Sequence, residues 1–235
     1  MSDLVGNGTL SMPMARFLAL SMRAKLNVVF SGGTGAGKTT ALELLAKEIP
    51  SDERIIVIED TAELRFEQPN VVRLEARRAS VEGAGQVTLG DLLKNSLRMR
   101  PSRIVMGELR GSEAFDMLQA VATGHDGCLS VLHAGSPAGV IGRLEMMVTA
   151  RGFHLPLWAT RKQIAAAVDV IVHAEFLPGG RRCITHVTEV VEEGGELVLH
   201  DLFRFDREAD EFLRTERRPD FGRRFSQRGL KLSDF

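Results

Sequence analysis

The chain has 235 residues, 44% of them apolar, which suffices for one large α/β core with at most a small appendage. Its formal charge of −1, from 30 basic and 31 acidic residues, excludes a nucleic-acid protein that binds through overall charge. Cys128 and Cys183 have neither metal-ligand spacing nor a disulfide framework, and no apolar stretch reaches the roughly 18 residues that span a bilayer, since Asp169 interrupts the best run, Ile164 to Val172. These features, with no signal pattern at the amino terminus, predict a protein of the reducing cytoplasm, either soluble or peripheral to a membrane.

In chain order, Pro13 opens a first helix with an apolar stripe of Met14, Phe17, Leu18 and Met22. An apolar stretch from Asn27 to Phe30 leads into Gly32-Gly-Thr-Gly-Ala-Gly-Lys-Thr39, and a helix-forming run starts at Ala41. Continuous apolar runs at Ile55 to Ile58, Val71 to Leu74 and Ile104 to Met106 read as strands buried on both faces. Thr88 with Asp91 forms a capping box for a helix through Arg98, and Ser112 is placed to cap the next helix, which stops at Gly124. Leu129 to Leu132 reads as a strand, and Ser136-Pro137 opens a helix that fades before Gly152. Arg182 to Val191 and Glu196 to Leu199 flank Glu-Glu-Gly-Gly and predict an antiparallel hairpin. The tail from Asp201, with Phe203, Phe205, Phe212, Phe221 and Phe225, reads as a small packed extension. The alternation predicts an α/β fold: a mainly parallel sheet covered on both faces, with residues 1–24 as a linker and leading helix, 25–200 as the core and 201–235 as the extension.

The glycine-rich segment is a phosphate-binding loop between a strand and a helix. The turn aims backbone N–H groups and the positive end of a helix dipole at a polyphosphate. Gly32, Gly33, Gly35 and Gly37 let the main chain approach phosphate oxygens, with Thr34 and Ala36 between them. Lys38 brings a cation to the β and γ phosphates, Thr39 offers a hydroxyl to Mg²⁺, and Thr40 follows in the first turn. Roughly 1% of chains this long would match the pattern by composition alone, before the flanking strand and helix are required. ATP and Mg²⁺ are the ligands this implies.

Three polar clusters lie further along. Glu59-Asp60-Thr61-Ala62-Glu63 ends a predicted strand at the edge where open α/β sheets bind ligands, and its position fits equally a water-activating carboxylate or a solvated acidic loop. Glu108 and Arg110 end a second such strand. His125 and His133 lie at the two ends of the predicted strand at 129–132.

Together these blocks resemble the secretion ATPases, the hexameric motors of type II and type IV secretion, type IV pili and Tad/Flp pili. In order they correspond to that family's Walker A, aspartate box (Ile58 to Leu64), Walker B (Met106 to Gly111) and histidine box. Among the branches, the segments Pro69 to Arg77, Ser96 to Arg103, Thr123 to Gly127 and Arg218 to Phe235 resemble the CpaF-type ATPases of Tad pilus assembly. The resemblance covers about Gly8 to Phe235 and implies a RecA-like P-loop ATPase fold. It implies that Glu59 activates water with Glu63 in support, that Glu108 serves the magnesium ion through water, and that His133 contacts the γ phosphate with His125 as the other box histidine. Arg65, Arg73, Arg77 and Arg110 become candidates for neutralising phosphate charge, or pair with surface acids.

The resemblance further implies ATP hydrolysis driving pilus assembly or protein secretion, a homo-oligomer of hexameric form, platform proteins of the inner membrane as partners, and a peripheral place on its cytoplasmic face. No nucleic acid is expected, and the membrane is reached only through partners. Members of the family usually carry an amino-terminal domain that closes over the nucleotide, whereas about thirty residues precede the loop here, so the chain resembles the carboxyl-terminal motor domain. Two other readings stay open: a nucleotide-binding regulatory subunit without turnover, and a RecA-like nucleic-acid motor.

Overall fold

A computed structural model describes residues 2–81, 83–152 and 155–231. Nine strands form one sheet in the order β3-β2-β4-β5-β1-β6-β7-β8-β9. The first six are β1 (Val28–Gly32), β2 (Ile55–Glu59), β3 (Val71–Glu75), β4 (Arg103–Leu109), β5 (Leu129–His133) and β6 (Val170–Phe176), and every pairing among them is parallel. β7 (Arg182–Glu193), β8 (Glu196–Asp206) and β9 (Glu211–Arg214) continue the sheet antiparallel. β1, β2 and most of β4 and β5 are buried along their length, as apolar runs with a helix layer on each face require. β3, expected to be buried on both faces, is instead the edge strand and leaves Arg73 and Glu75 exposed.

One face of the sheet packs on α2 (Met12–Arg23), α3 (Lys38–Ala46) and α8 (Gly222–Gln227), through Phe17, Leu18, Leu42, Leu45 and Phe225 against Val28, Phe30, Val57 and Val131. The other packs on α4 (Leu89–Ser96), α5 (Glu113–Ala122), α6 (Pro137–Thr149) and α7 (Leu157–Ala167), against Val29, Ile58, Met106 and Leu132. A short α1 (Ser2–Gly6), with no strong periodic signal in the sequence, precedes these.

The structure departs from the expected layout in three places. Ser112 makes no side-chain cap. Glu113 instead closes the turn that precedes the helix, accepting the N–H groups of Arg110 and Gly111 at 2.7 Å each. The Ile164 to Val172 run divides into the end of α7 and the start of β6, with Asp169 between them accepting the Asn27 N–H at 2.7 Å and pairing with Arg224 of α8. Burial lifts the Asp169 carboxyl to a pKa of about 6, against the opposing pull of Arg224 and the Asn27 amide. Finally, the expected boundary between residues 200 and 201 falls inside β8, since the hairpin strands run several residues beyond the apolar alternation. Residues 232–235, which close the segment from Arg218, lie outside the described ones. No described helix is long and apolar enough to cross a membrane.

At the amino-terminal edge of the parallel strands, Arg103 is the largest fully buried side chain. Its Nε donates to Glu53 at 3.0 Å, and its Nη groups donate to the carbonyls of Gly127 (3.2 Å) and Met22 (2.8 Å), joining β4 to α2 and to the turn before β5. Removing one member of a buried ion pair leaves the other charge uncompensated. Arg103→Met is therefore expected to lower stability by about 3–5 kcal/mol in urea unfolding. Arg103→Met combined with Glu53→Leu recovers part of that loss; a double variant no better than the single would contradict the account.

Candidate functional site

β1 ends in a turn that only glycine permits. Gly32 has φ +147°, and a Cβ there would lie 2.1 Å from the carbonyl oxygen of Ala174 on the neighbouring strand. The chain then folds over and enters α3 at Gly37, whose N-cap position carries no side-chain hydrogen bond. The first-turn N–H groups of α3 thus lack helical and side-chain partners, which is the geometry that receives phosphate oxygens. Lys38 is buried and donates from Nζ to the Gly33 carbonyl at 2.7 Å. Burial lowers its pKa, with Glu108 pulling the other way.

Beside the loop lies a cleft of about 710 Å³ at the carboxyl ends of the parallel strands, a size suited to a small-molecule ligand. From the loop and α3 it is lined by Thr34, Gly35, Lys38 and Thr39, and from the strand ends by Glu59, Glu63, Glu108, Arg110 and His133. Glu108 lies within an irregularity in the β4–β5 pairing, between Met106 and Leu109. Its Oε2 accepts from Arg110 at 2.7 Å, and its Oε1 lies 3.3 Å from His133 Nε2. Burial pushes the Glu108 carboxyl up, but the Arg110 hydrogen bond and the charges of His133, Arg110 and Lys38 outweigh it and hold the group low. Burial, and then the charge of Lys38, pull His133 below the ordinary histidine value despite Glu108. At neutral pH a neutral imidazole therefore lies beside an ionised carboxylate, with Nε2 3.3 Å from Oε1.

Glu59 is buried, and its Oε1 accepts the N–H groups of Glu63 (3.0 Å) and Leu64 (2.9 Å). Gly107 makes room for it: a Cβ there would sit 2.6 Å from Glu59 Cγ. One Glu59 oxygen therefore anchors the acidic loop, a role that sequence position did not suggest. The neighbouring Glu63 is exposed at the cleft rim.

Other expected residues are placed differently. His125 precedes β5, at the opposite edge of the sheet from the loop, with Nδ1 3.1 Å from the Ala120 carbonyl. It closes the end of α5 and does not line the cleft. Of the four arginines, Arg110 alone lines the cleft; Arg73 donates to the Phe66 carbonyl and Arg77 to the Gly85 carbonyl, while Arg65 is exposed. Arg78 and Glu113 do line it and were not foreseen. Their only sequence signals are an Arg77-Arg78 doublet and an acid after Ser112. Thr40 faces the other side of the loop. The acids of the cleft outnumber its cations, so a polyphosphate would require a divalent ion there. Among the described residues no group of three His, Cys, Asp or Glu could hold a metal unaided. Such an ion would take most of its ligands from phosphate and water, as Mg²⁺ does.

Behind the loop, Ser31 Oγ lies 2.9 Å from His173 Nδ1 in the buried layer between β1 and β6. Burial lowers His173 too, with Glu175 opposing. Its pKa is depressed in the folded chain, so its contribution to stability is complete above the ordinary histidine value and is lost as pH falls through it. The stability advantage of the wild type over His173→Asn should therefore shrink between about pH 7 and about pH 5 in urea unfolding; an advantage that stays constant or grows would contradict this. In hydrogen exchange, Glu59→Ala should deprotect the Glu63 and Leu64 amides while Glu59→Gln preserves them, and unchanged protection in Glu59→Ala would remove the anchor.

Comparison with known proteins places this geometry. The family model described as type II/IV secretion system protein matches residues 1–188. The chain is 41% identical over 161 residues to the type IV secretion system protein VirB11 of Brucella suis, covering 67% of this chain and 45% of that protein. It is 40% identical over 166 residues to PtlH of Bordetella pertussis, covering 69% and 49%. The crystal structure of the Brucella suis VirB11 ATPase in complex with sulphate superposes with a TM-score of 0.69 and 37% identity, over 75% of this chain and 52% of that one. The pilus retraction motor PilT with bound ADP, at 24% identity and TM-score 0.55, shares the fold. The chain spans about half the length of these relatives. The sheet is the RecA-like core of that group, and the chain belongs to the type II/IV secretion system protein family.

Proposed function

We propose that the chain is an ATP-hydrolysing motor domain of a secretion or pilus-assembly system. The observation that carries this is a single cleft in which Lys38 and the open amides of α3 face an ionised Glu108, with the neutral His133 beside it. Relatives named as type IV secretion proteins, and one described as an ATPase, support it. Lys38 and the Gly33 to Thr39 amides would hold the β and γ phosphates. Thr39 would ligate Mg²⁺, with Glu108 reaching it through water; the ion supplies charge neutralisation across the β and γ phosphates.

In hydrolysis a water oxygen bonds to the γ phosphorus, the bond from that phosphorus to the bridging oxygen of ADP breaks, and the water proton leaves to a phosphate oxygen. A carboxylate held low is a weak base but a good hydrogen-bond acceptor, so Glu108 orients the water. Glu59, with one oxygen bound to amides, maintains the loop that carries Glu63. His133, 3.3 Å from Glu108, can turn to a γ-phosphate oxygen and so report the bound state. The Tad-type branch, a hexameric ring, platform proteins at the cytoplasmic face of the inner membrane and the absence of a nucleic-acid substrate belong to the same proposal. The pairing of Glu108 with Arg110 favours a second reading, nucleotide binding without turnover until a neighbour draws Arg110 away.

Steady-state ATP hydrolysis across a wide range of protein concentration decides between these. The motor reading predicts specific activity that rises with concentration, is abolished in Lys38→Ala, and falls at least about 100-fold in Glu108→Gln with nucleotide binding retained. Normal turnover in either variant would sink the site assignment. Tight MgATP binding with no hydrolysis at any concentration would favour the second reading.

A further inference from the structure

Two clefts share the phosphate-binding loop. The first meets Thr34, Gly35, Lys38 and Thr39, with the carboxylates beyond. The second, of about 330 Å³, meets Ala36, Gly37 and Thr40 on the loop's other side. A triphosphate laid along the loop with its reacting end beside Glu108 leads its nucleoside end into the second cleft. That cleft has apolar walls from Leu4, Leu44 and Ile184, with Asn7 at its rim, a surface that suits a flat base and a ribose.

Two arginines at the start of β7 close this cleft, and their surroundings differ. Arg181 pairs with Asp210 and lies over the Phe205 ring. Arg182 has only neutral partners among the described residues: its Nε donates to the Gly35 carbonyl at 2.9 Å, and its guanidinium lies 5.7 Å from the Phe176 ring centroid. The contact is tight, since a Cβ on Gly37 would sit 3.0 Å from Arg182 Cδ. A guanidinium fixed through Nε keeps its two Nη groups available, and these suit a phosphate.

We propose that Arg182 is a nucleotide-binding residue, its Nη groups contacting the phosphate next to the nucleoside while Nε holds the loop, and that the cleft beside it takes the ribose and base. This rests on the phosphate-loop reading above and extends it to the nucleoside end. The phosphate contacted is common to ADP and ATP, so its loss weakens both equally. A contact to the terminal phosphate of ATP would weaken ATP alone.

The test is calorimetric titration of wild type, Arg182→Gln, Arg182→Lys and Lys38→Ala with MgADP and with a non-hydrolysable MgATP analogue, alongside melting temperatures. Arg182→Gln should bind both nucleotides about tenfold more weakly, as expected for one charge-assisted contact in partial solvent, with its melting temperature unchanged. Arg182→Lys, which keeps the charge but not the forked geometry, should lose affinity for both nucleotides by less than Arg182→Gln does. Unchanged affinity in Arg182→Gln, a loss confined to the ATP analogue, or an equal loss in Arg182→Lys, would overturn the proposal; the last would make Arg182 a brace for the loop. Wild-type affinity in Lys38→Ala would instead overturn the phosphate-loop reading itself.

Discussion

The organisation depends on how closely β1 is held between its neighbours. Its five buried residues pair with β5 on one side and β6 on the other, and at its end Gly32 lies against the Ala174 carbonyl with no room for a side chain. The loop therefore leaves the sheet at a fixed height. In a parallel sheet the neighbouring strands end at the same edge, so Glu59, Glu108 and His133 meet the loop without any one segment carrying them all. The opposite edge is held by charge: buried Arg103 with Glu53, and half-buried Asp169 with Arg224. Function and anchorage thus occupy opposite ends of the same strands.

Within the cleft the groups balance one another. Lys38 rests on a loop carbonyl, Arg110 on Glu108, and Glu108 on His133, while Glu59 and Glu113 each satisfy two backbone amides. Such a network holds side chains in place at small cost and lets a bound polyanion exchange partners one at a time. Lowered values for Lys38, Glu108 and His133 have different causes: burial outweighs the pull of Glu108 on Lys38, neighbouring donors and charges outweigh burial at Glu108, and burial and the charge of Lys38 act together only on His133. Arg182 stands outside that network and meets only neutral groups.

Features carried by consecutive residues were legible in the sequence. The strand, glycine-rich turn and helix around residues 28–46, the Thr88 capping box, the positions of the apolar strands and the α/β order all follow from local spacing, and four motif blocks in order pointed to the family that the comparisons establish. What the sequence hid depends on partners far along the chain. Glu59 looks like a free acid until Gly107 of another strand is packed against it and the loop folds back to its oxygen. His125 and His133 read as the two ends of one strand, but nothing local shows that His125 turns back to the Ala120 carbonyl and leaves His133 alone of the two in the cleft. Arg78 and Arg182 reach the loop region by chain paths that no periodicity encodes, and Arg182 contacts a residue 147 positions away. The length of β8 was missed because its outward residues are half-buried, which blurs the alternation that marks a strand end.

The account's central claim is that one polyphosphate joins the loop to the strand-end carboxylates. Backbone amide NMR shifts on titration with MgADP test it most directly. The account predicts saturable changes concentrated at residues 33–40, spreading to 59–64 and 108–110, and absent from the Arg103 edge. Saturable binding that leaves residues 33–40 unshifted, or no binding at millimolar nucleotide, would contradict it.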